Sequence, residues 1–376
     1  MEFSGEGLPD RLLREIVADA GRRRASDVHL EPGEGQLRVR LRVDGRLIPG
    51  RILHPSLREA LLRRLKVLSG LALDISQLPQ DGKWLLECDG EPWDIRVSTI
   101  PFLHGEGAVL RLLRRPSLDQ GLTALGYSPA AAAAIDALLA GPDGLFLFVG
   151  PTGCGKSTSA HAILHGLAGG RRKILSIEDP VEYSQKGVQA VAVAPEQGLS
   201  FASALRAVLR QSPDVLFLGE IRDGETAAVA VQAALTSHRV LGTLHCRDSS
   251  EAVPRLRQLG VASDLLHAAL KGVLAQRLVR RLCPHCRTPR LPAIALARWL
   301  RLDPSRPLFH PTGCARCDGR GFLGQTVLWE LGNLRRRTSP DQPPDRSTLW
   351  NCLRERVLAG ETTAEEGYAT LWPISS

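Results

Sequence analysis

The sequence contains no apolar run that approaches the ~18 residues needed to span a bilayer as a helix. Its start also lacks the basic residues that open a signal peptide, because the acidic Glu2, Glu6 and Asp10 stand there. We find no internal repeat and no long low-complexity tract in the sequence. These absences argue against a membrane-spanning or secreted protein, and we expect a cytosolic location.

The length and composition are those of a globular protein with two domains. The 376 residues are 43% hydrophobic and 23% charged, and a domain usually takes roughly 100–200 residues. Lysine and arginine number 48 against 40 acidic residues, so the net charge is +8. This charge favours acidic partners such as phosphates, nucleic acid or an anionic membrane leaflet, without choosing among them.

One stretch, residues 150–158, matches the pattern G-x-x-x-x-G-K-[ST] of the Walker A phosphate-binding loop. In this pattern the glycines let backbone N–H groups wrap a phosphate chain, the lysine reaches the outer phosphates and the next hydroxyl holds Mg²⁺. Lys156 and Ser157 occupy those two positions. The predicted nucleotide-binding residues of the loop are Gly150, Pro151, Thr152, Gly153, Cys154, Gly155, Lys156, Ser157 and Thr158.

The setting of this loop is the one that phosphate binding requires. The apolar run 145–149 predicts a buried strand, 157–167 a helix and 173–177 the next strand. Together they form a βαβ unit with the helix N-terminus directed at the anion. The context therefore favours nucleotide binding over a glycine-rich turn that binds nothing.

Beyond the loop, the pattern alternates strands and helices. It predicts an α/β fold with a mostly parallel sheet covered on both faces. The predicted strands are 145–149, 173–177, 188–193, 215–218 and 240–244, and the helices lie near 157–167, 201–210 and 225–235. A further helix begins at the predicted cap Ser128 and runs to Leu139.

The first part of the chain predicts a smaller α+β domain. It begins with an expected helix over 10–20 and a strand over 37–43 that ends in a turn at Asp44-Gly45. A second helix is expected from a capping box at Ser56 and Glu59 to about Ser69. A hairpin of 83–88 and 93–99 with a turn at Asp89-Gly90 and a strand over 108–113 complete it. With a linker near 114–121, we predict domains at 1–116 and 117–376.

Polar residues follow three of the predicted parallel strands. Glu178 and Asp179 follow the second strand, Glu220 follows 215–218 and His245 follows 240–244. Ligands of such sheets lie beyond the carboxyl ends of the strands, so these four side chains should face the same crevice as Lys156.

We assign these four residues to catalysis. Glu220 can orient or deprotonate the attacking water, and Glu178 or Asp179 can hold Mg²⁺ directly or through its waters. His245 can sense the γ-phosphate. The alternative for each is an ordinary surface carboxylate or a hydrogen-bonded structural histidine.

Two CxxC pairs, Cys283/Cys286 and Cys314/Cys317, predict a structural zinc site within a subdomain at 282–325. A redox role would need a thioredoxin-like setting, which the sequence lacks. A zinc ribbon that binds nucleic acid is an alternative interpretation. The segment has few aromatic residues for stacking bases, which favours a zinc ion that stabilises the fold. The remaining cysteines, Cys88, Cys154, Cys246 and Cys352, are expected to be free thiols.

With these motifs, the sequence resembles the secretion ATPase superfamily, closest to the type II secretion and type IV pilus assembly ATPases, general secretory pathway protein E and its pilus-assembly relatives. The resemblance runs from about Ala25 to Trp372. It is carried by 26–32 and 38–45, by 78–82, 96–99 and 109–113, by an aspartate box at 177–183, a Walker B end at 219–223 and a histidine box at 243–245. The paired CxxC motifs resemble the zinc insertion of assembly motors.

The resemblance implies a RecA-like core that uses ATP, Mg²⁺ and Zn²⁺. It further implies a homohexameric ring, peripheral to the cytoplasmic face of the inner membrane, that hydrolyses ATP to move an inner-membrane platform protein. Arg96 and Arg111 match arginines that reach the nucleotide in this family.

The sequence also departs from the family pattern. The family's far N-terminal domain is expected to be missing, so coupling would use another surface or the chain is a reduced variant. Cys154 replaces a serine of the loop, Lys83 replaces an arginine, and Cys246-Arg247 replaces a polar pair.

Two other functions remain open at this point. The positive charge and the CxxC pairs would also suit a nucleic-acid translocase or a DNA-uptake-linked ATPase, although we expect no nucleic-acid partner. A nucleotide-binding scaffold with little turnover is disfavoured by the intact Lys156 and Glu220.

Overall fold

The computed structural model describes residues 7–88, 91–113, 121–332 and 348–372. Contacts between Cα atoms divide the chain into two units, 1–115 and 116–376. The predicted domain boundary, most of the linker and the predicted turn at Asp89-Gly90 lie outside the described residues. Within the described ranges, no helix combines the length and the apolar character needed to cross a membrane.

The first unit is an antiparallel sheet covered by two helices. Its elements are α1 (Leu8–Arg22), β1 (Ala25–Gly33), β2 (Gln36–Val43), β3 (Arg46–Leu53), α2 (Leu57–Ser69), β4 (Gln80–Cys88), β5 (Glu91–Phe102) and β6 (Gly105–Leu113). The strands lie in the order β3-β2-β1-β6-β5-β4. Alternate residues of β2 are buried, and they join a core with the apolar faces of α1 and α2.

Two local predictions for this unit have different outcomes. The turn after β2 is confirmed, because Asp44 and Gly45 both have positive φ, 50° and 81°, as a two-residue hairpin turn requires. The capping box at Ser56 is wrong. Ser56 has a helical backbone (φ −62°, ψ −22°) and caps nothing with its side chain, whereas a cap residue needs an extended backbone. Its hydroxyl instead lies 2.8 Å from His54 Nδ1.

The second unit is a mostly parallel α/β sheet. Its elements up to the sixth strand are α3 (Gly121–Ala124), α4 (Pro129–Ala140), β7 (Gly144–Val149), α5 (Lys156–Leu167), β8 (Ile174–Glu178), β9 (Val188–Ala192), α6 (Phe201–Leu209), β10 (Val215–Leu218), α7 (Gly224–Leu235), β11 (Arg239–Leu244), α8 (Ala252–Gln258), α9 (Ser263–Ala269) and β12 (Leu270–Leu282). It continues with β13 (Thr288–Arg290), α10 (Ile294–Trp299), β14 (Leu308–His310), β15 (Phe322–Gly332), α11 (Thr348–Leu358) and α12 (Ala364–Leu371).

The large sheet has the strand order β15-β12-β7-β11-β10-β8-β9. β12 pairs parallel with β7 and antiparallel with β15. All neighbouring strands in the remaining order β7-β11-β10-β8-β9 are parallel. Every residue of β7 is buried. Leu145, Leu147 and Val149 belong to one hydrophobic cluster, and Phe146 and Phe148 belong to another on the opposite face. Both faces of the sheet are therefore covered, as predicted.

This topology places the carboxyl ends of β7, β8, β10 and β11 at one edge of the sheet, because all four strands run in the same direction. The residues that follow these strands meet at that edge. A separate excursion, residues 283–321, leaves the sheet at the end of β12 and returns at the start of β15. It contains β13, α10 and β14.

Candidate nucleotide site and metal centre

The loop after β7 closes tightly on itself. Gly150 has φ +154°, and a Cβ at this position would lie 2.4 Å from Cys154 Sγ and 2.7 Å from the carbonyl oxygen of Gln276. Only glycine fits there. Gln276, buried on β12, donates from Nε2 to the Cys154 carbonyl at 3.1 Å. The neighbouring strand thus supports the loop, a contact that the sequence analysis did not predict.

Lys156 begins α5 and is only 8% exposed. Its ammonium donates to the carbonyl oxygens of Gly150 at 2.8 Å and Pro151 at 3.0 Å. Burial lowers the pKa of Lys156, while the Glu220 carboxylate opposes this shift. Both acceptors are uncharged groups of the loop, so a phosphate would be a stronger partner for the ammonium.

The rest of the predicted loop lies at the N-terminus of α5. Ser157 is half-buried in the first turn. The Thr158 hydroxyl lies 3.3 Å from the Tyr183 hydroxyl. Cys154 is buried, and burial raises the pKa of its thiol. The thiol is therefore protonated at neutral pH and packs as a small apolar group.

Glu220 lies at the edge of the sheet directly after β10 and Gly219. Its Oε1 lies 3.1 Å from His245 Nε2, and its Oε2 accepts from Arg222 Nη2 at 2.7 Å. Burial and the Lys156 charge lower the pKa of His245, with Glu220 opposing them. At pH 7 the imidazole is therefore neutral. The structure brings Lys156, Glu220 and His245 together, and it adds Arg222, for which the sequence analysis predicted no role.

Glu178 and Asp179 are adjacent in sequence but have opposite surroundings. Glu178 ends β8, is 3% exposed and lies beside Gly219, where an added Cβ would sit 3.4 Å from Glu178 Cγ. Its Oε2 lies 3.0 Å from Nε2 of His161, a fully buried residue of α5. Asp179 is exposed, and its charge helps Glu220 to raise the pKa of Arg222.

Arg96 and Arg111 lie in the first unit, opposite each other on β5 and β6. Arg111 Nε donates to Asp27 Oδ1 at 3.1 Å, with 66% of the arginine side chain exposed. Arg96 is half-buried. Their role in nucleotide binding stays a prediction.

The four predicted zinc ligands form one cluster at the base of the 283–321 excursion, with their Sγ atoms all within 4.8 Å of one another. The distances are 3.9 Å for Cys283–Cys314, 3.8 Å for Cys286–Cys317 and 3.8 Å for Cys314–Cys317. A zinc ion held tetrahedrally by thiolates at about 2.3 Å would set the sulfurs about 3.8 Å apart. The cluster fits that ion.

Hydrogen bonds to sulfur also favour a thiolate in this cluster. Burial opposes ionisation of Cys317, but the backbone N–H groups of Cys314 and Gly321, each 3.2 Å from its sulfur, act against it. The pKa of Cys317 is lowered to about 7. A thiolate is the form that binds zinc.

A Walker A loop between β7 and α5, with acids at the ends of β8 and β10, defines the class of P-loop ATPases. The family model for type II/IV secretion system proteins matches residues 2–342. The chain belongs to that family.

Named relatives agree with this assignment. Type II secretion system protein E of Klebsiella pneumoniae is 42% identical over 371 residues, covering 95% of this chain and 74% of the relative. The type IV pilus assembly ATPase PilB of Thermus thermophilus is 40% identical over 330 residues, covering 87% of this chain and 37% of PilB. The chain is accordingly an ATP-hydrolysing ATPase of the secretion and pilus-assembly family.

Solved structures support the fold. The Legionella pneumophila ATPase DotB aligns with a TM-score of 0.64 at 19% identity, covering 97% of this chain and 92% of DotB. The predicted fold class and the family resemblance are therefore both confirmed, and the four cysteines lie together as the predicted insertion requires.

Proposed function

We propose that this protein is a homohexameric motor at the cytoplasmic face of the inner membrane. It couples ATP hydrolysis to assembly of a type II secretion pseudopilus or a type IV pilus, and acts on an inner-membrane platform protein. The names of its relatives support this process. The observation that carries the enzymatic part is the convergence of Lys156, Glu220 and His245 at one edge of the sheet.

The loop residues and Lys156 bind the polyphosphate, with backbone N–H groups and the ammonium facing its charge. Ser157, with Glu178 or Asp179, would hold Mg²⁺, which neutralises charge on the transferred phosphate. The residues fit this ion, because Glu178 Oε1 is a buried acceptor without a protein partner among the described residues. Such an atom can accept from a water that Mg²⁺ retains.

Glu220 directs the attacking water and accepts its proton. In the structure, one of its oxygens contacts Arg222 and the other contacts His245. Because most of the Arg222 side chain is exposed, this contact can open without burying an unpaired charge. His245, kept neutral by burial and by Lys156, can remain hydrogen-bonded to Glu220 while it responds to the terminal phosphate.

The four cysteines hold one Zn²⁺ that ties the two ends of the excursion together. The ion has a structural role only, because four protein ligands fill a tetrahedral site and leave no open position for chemistry.

The decisive experiment is phosphate release by the Glu220→Gln variant. Removing the carboxylate takes away the proton acceptor, and we expect kcat to fall by a factor on the order of 10²–10⁴ while ATP still binds. Glu365→Gln, which changes an exposed glutamate on α12, is the matched control and should keep the parent rate. Equal rates for the parent and Glu220→Gln would show that Glu220 is not the catalytic acid.

The same assay distinguishes the proposed motor from the alternative function, a nucleic-acid translocase. Stimulation by DNA that falls steeply between 50 and 200 mM salt, roughly the range in which phosphate contacts weaken, would favour a nucleic-acid translocase. We expect no stimulation.

A further inference from the structure

His161 is a fully buried imidazole on the helix that carries the phosphate-binding lysine. It lies on α5 and is 0% exposed. The rings of Tyr183 and Phe217 contact it edge-on, with centroids 4.8 Å and 5.2 Å away. A polar ring in such a place is destabilising unless its nitrogens are hydrogen-bonded.

Both ring nitrogens of His161 have partners. Nε2 lies 3.0 Å from Glu178 Oε2, and Nδ1 lies 2.8 Å from Gln185 Nε2. The same Gln185 nitrogen donates to the His161 carbonyl oxygen at 3.3 Å, which an amide oxygen could not do. Because an amide nitrogen only donates, Nδ1 must accept. The proton of the neutral ring is therefore on Nε2, and it is donated to the Glu178 carboxylate.

Because of this hydrogen bond, the two carboxylate oxygens of Glu178 have different surroundings. Oε2 accepts from His161, and the backbone N–H of Glu182 lies 3.5 Å from the same oxygen. Oε1 is buried and has no partner among the described residues. A buried carboxylate oxygen without a donor is destabilising, so a ligand that brings a donor is favoured at this atom.

We propose that His161 is a positioning residue for Glu178. It holds the carboxylate in one orientation, so that Oε1 accepts from a water ligand of the Mg²⁺ that accompanies the nucleotide. This inference rests on the proposed function. Asp179 differs from Glu178, because it is exposed and its carboxylate is not held by a buried partner in the described contacts. His161 thus links the helix of the Walker A lysine to the acid at the end of the next strand.

The test compares two substitutions of His161. H161F keeps a ring in the aromatic contact but removes the donor, whereas H161Q keeps an N–H near the Nε2 position. We expect H161F to lower kcat at least tenfold and H161Q to stay within threefold of the parent. H165F changes an exposed histidine on the same helix and should behave as the parent does.

A binding measurement serves as the readout independent of turnover. With a fluorescent, slowly hydrolysed ATP analogue, H161F should need at least threefold more Mg²⁺ for half-maximal binding, while its affinity in EDTA stays within twofold of the parent. Because His161 acts through Glu178, H161F should lower kcat by no more than twofold when Glu178 is already glutamine.

Three results would overturn the proposal. They are an unchanged Mg²⁺ requirement in folded H161F, equal losses in H161F and H161Q, or a further tenfold loss in the double variant. If H161F does not fold, nitrogen-15 NMR of the unaltered protein is the test. The imidazole signal that is absent from the H161Q spectrum belongs to His161. We expect this signal to show the proton on Nε2. A proton on Nδ1 overturns the proposal.

The two hypotheses fail in different ways. Turnover that survives in Glu220→Gln removes the proposed function. An inactive Glu220→Gln together with a normal Mg²⁺ response in H161F removes only the role of His161.

Discussion

Lys156 donates to two carbonyls of the loop that it must help to hold around a phosphate. Lys156→Ala removes that cation and both hydrogen bonds, so we expect the nucleotide affinity to fall by at least about tenfold, or about 1.4 kcal/mol. Equilibrium titration with a fluorescent ATP analogue measures this. Lys271→Ala is the matched control, because Lys271 lies at the opposite end of β7, beside Gly144. An unchanged affinity in Lys156→Ala would contradict the assignment.

For individual residues, the sequence indicated which side chains follow each strand but not which way they face. Glu220 and His245 were predicted to share a crevice with Lys156. In the structure they contact each other, and the Lys156 charge helps burial to lower the pKa of His245. Glu178 and Asp179 were indistinguishable in sequence, yet one is buried and the other exposed. His161 gave no signal, because a lone histidine among apolar helix residues looks like ordinary core. Its contact with Glu178 depends on how α5 packs against β8.

At the element scale, the buried parallel strands and the P-loop helix were predicted within one or two residues. The strands β1, β3, β12 and β15 were not predicted from the sequence. Five of the eight residues of β3 are exposed and none is buried, so it lacks the alternation that marks a half-buried strand. β12 joins parallel and antiparallel neighbours and is largely buried. Leu270, Val273, Leu274, Leu278 and Leu282 recur at intervals of one to four positions that are typical of one face of a helix, so the sequence does not mark this segment as a strand.

The excursion between β12 and β15 depends on its base. Cys283 N donates to the Gly321 carbonyl at 2.9 Å, and the cysteine cluster also joins its two ends. Because a structural zinc supplies folding free energy, Cys314→Ser or chelation should unfold 283–321 and leave the large sheet intact. Hydrogen exchange by mass spectrometry should show lost protection confined to that range.

Metal content is the second readout of this prediction. The parent protein and Cys352→Ala, which changes a buried cysteine on α11 outside the cluster, should each hold one zinc per chain. Cys314→Ser should hold much less. A purified parent protein with no stoichiometric metal would reject the zinc assignment.

At the scale of the whole molecule, the net charge of +8 does not identify a partner. Part of the positive charge is neutralised within each unit, as in the pairs Arg40–Glu31 at 2.6 Å and Arg280–Glu366 at 2.7 Å. The remaining charge includes Lys156, whose described hydrogen bonds go to carbonyls. Composition alone therefore indicated an acidic ligand of some kind. The Walker A loop and the acids after the parallel strands were needed to identify that ligand as a nucleotide.

The proposed ring makes a prediction about mass and activity together. In a cyclic assembly each subunit presents the same two surfaces to its neighbours, so closure occurs at one number of copies. With a slowly hydrolysed ATP analogue and Mg²⁺, mass photometry should show a species of about six times the 40.8 kDa chain. Because ring formation depends on concentration, the specific ATPase activity should rise with protein concentration and level off where the hexamer saturates. Full specific activity at concentrations where only single chains are detected would contradict the ring, and a different saturating mass would replace the number six.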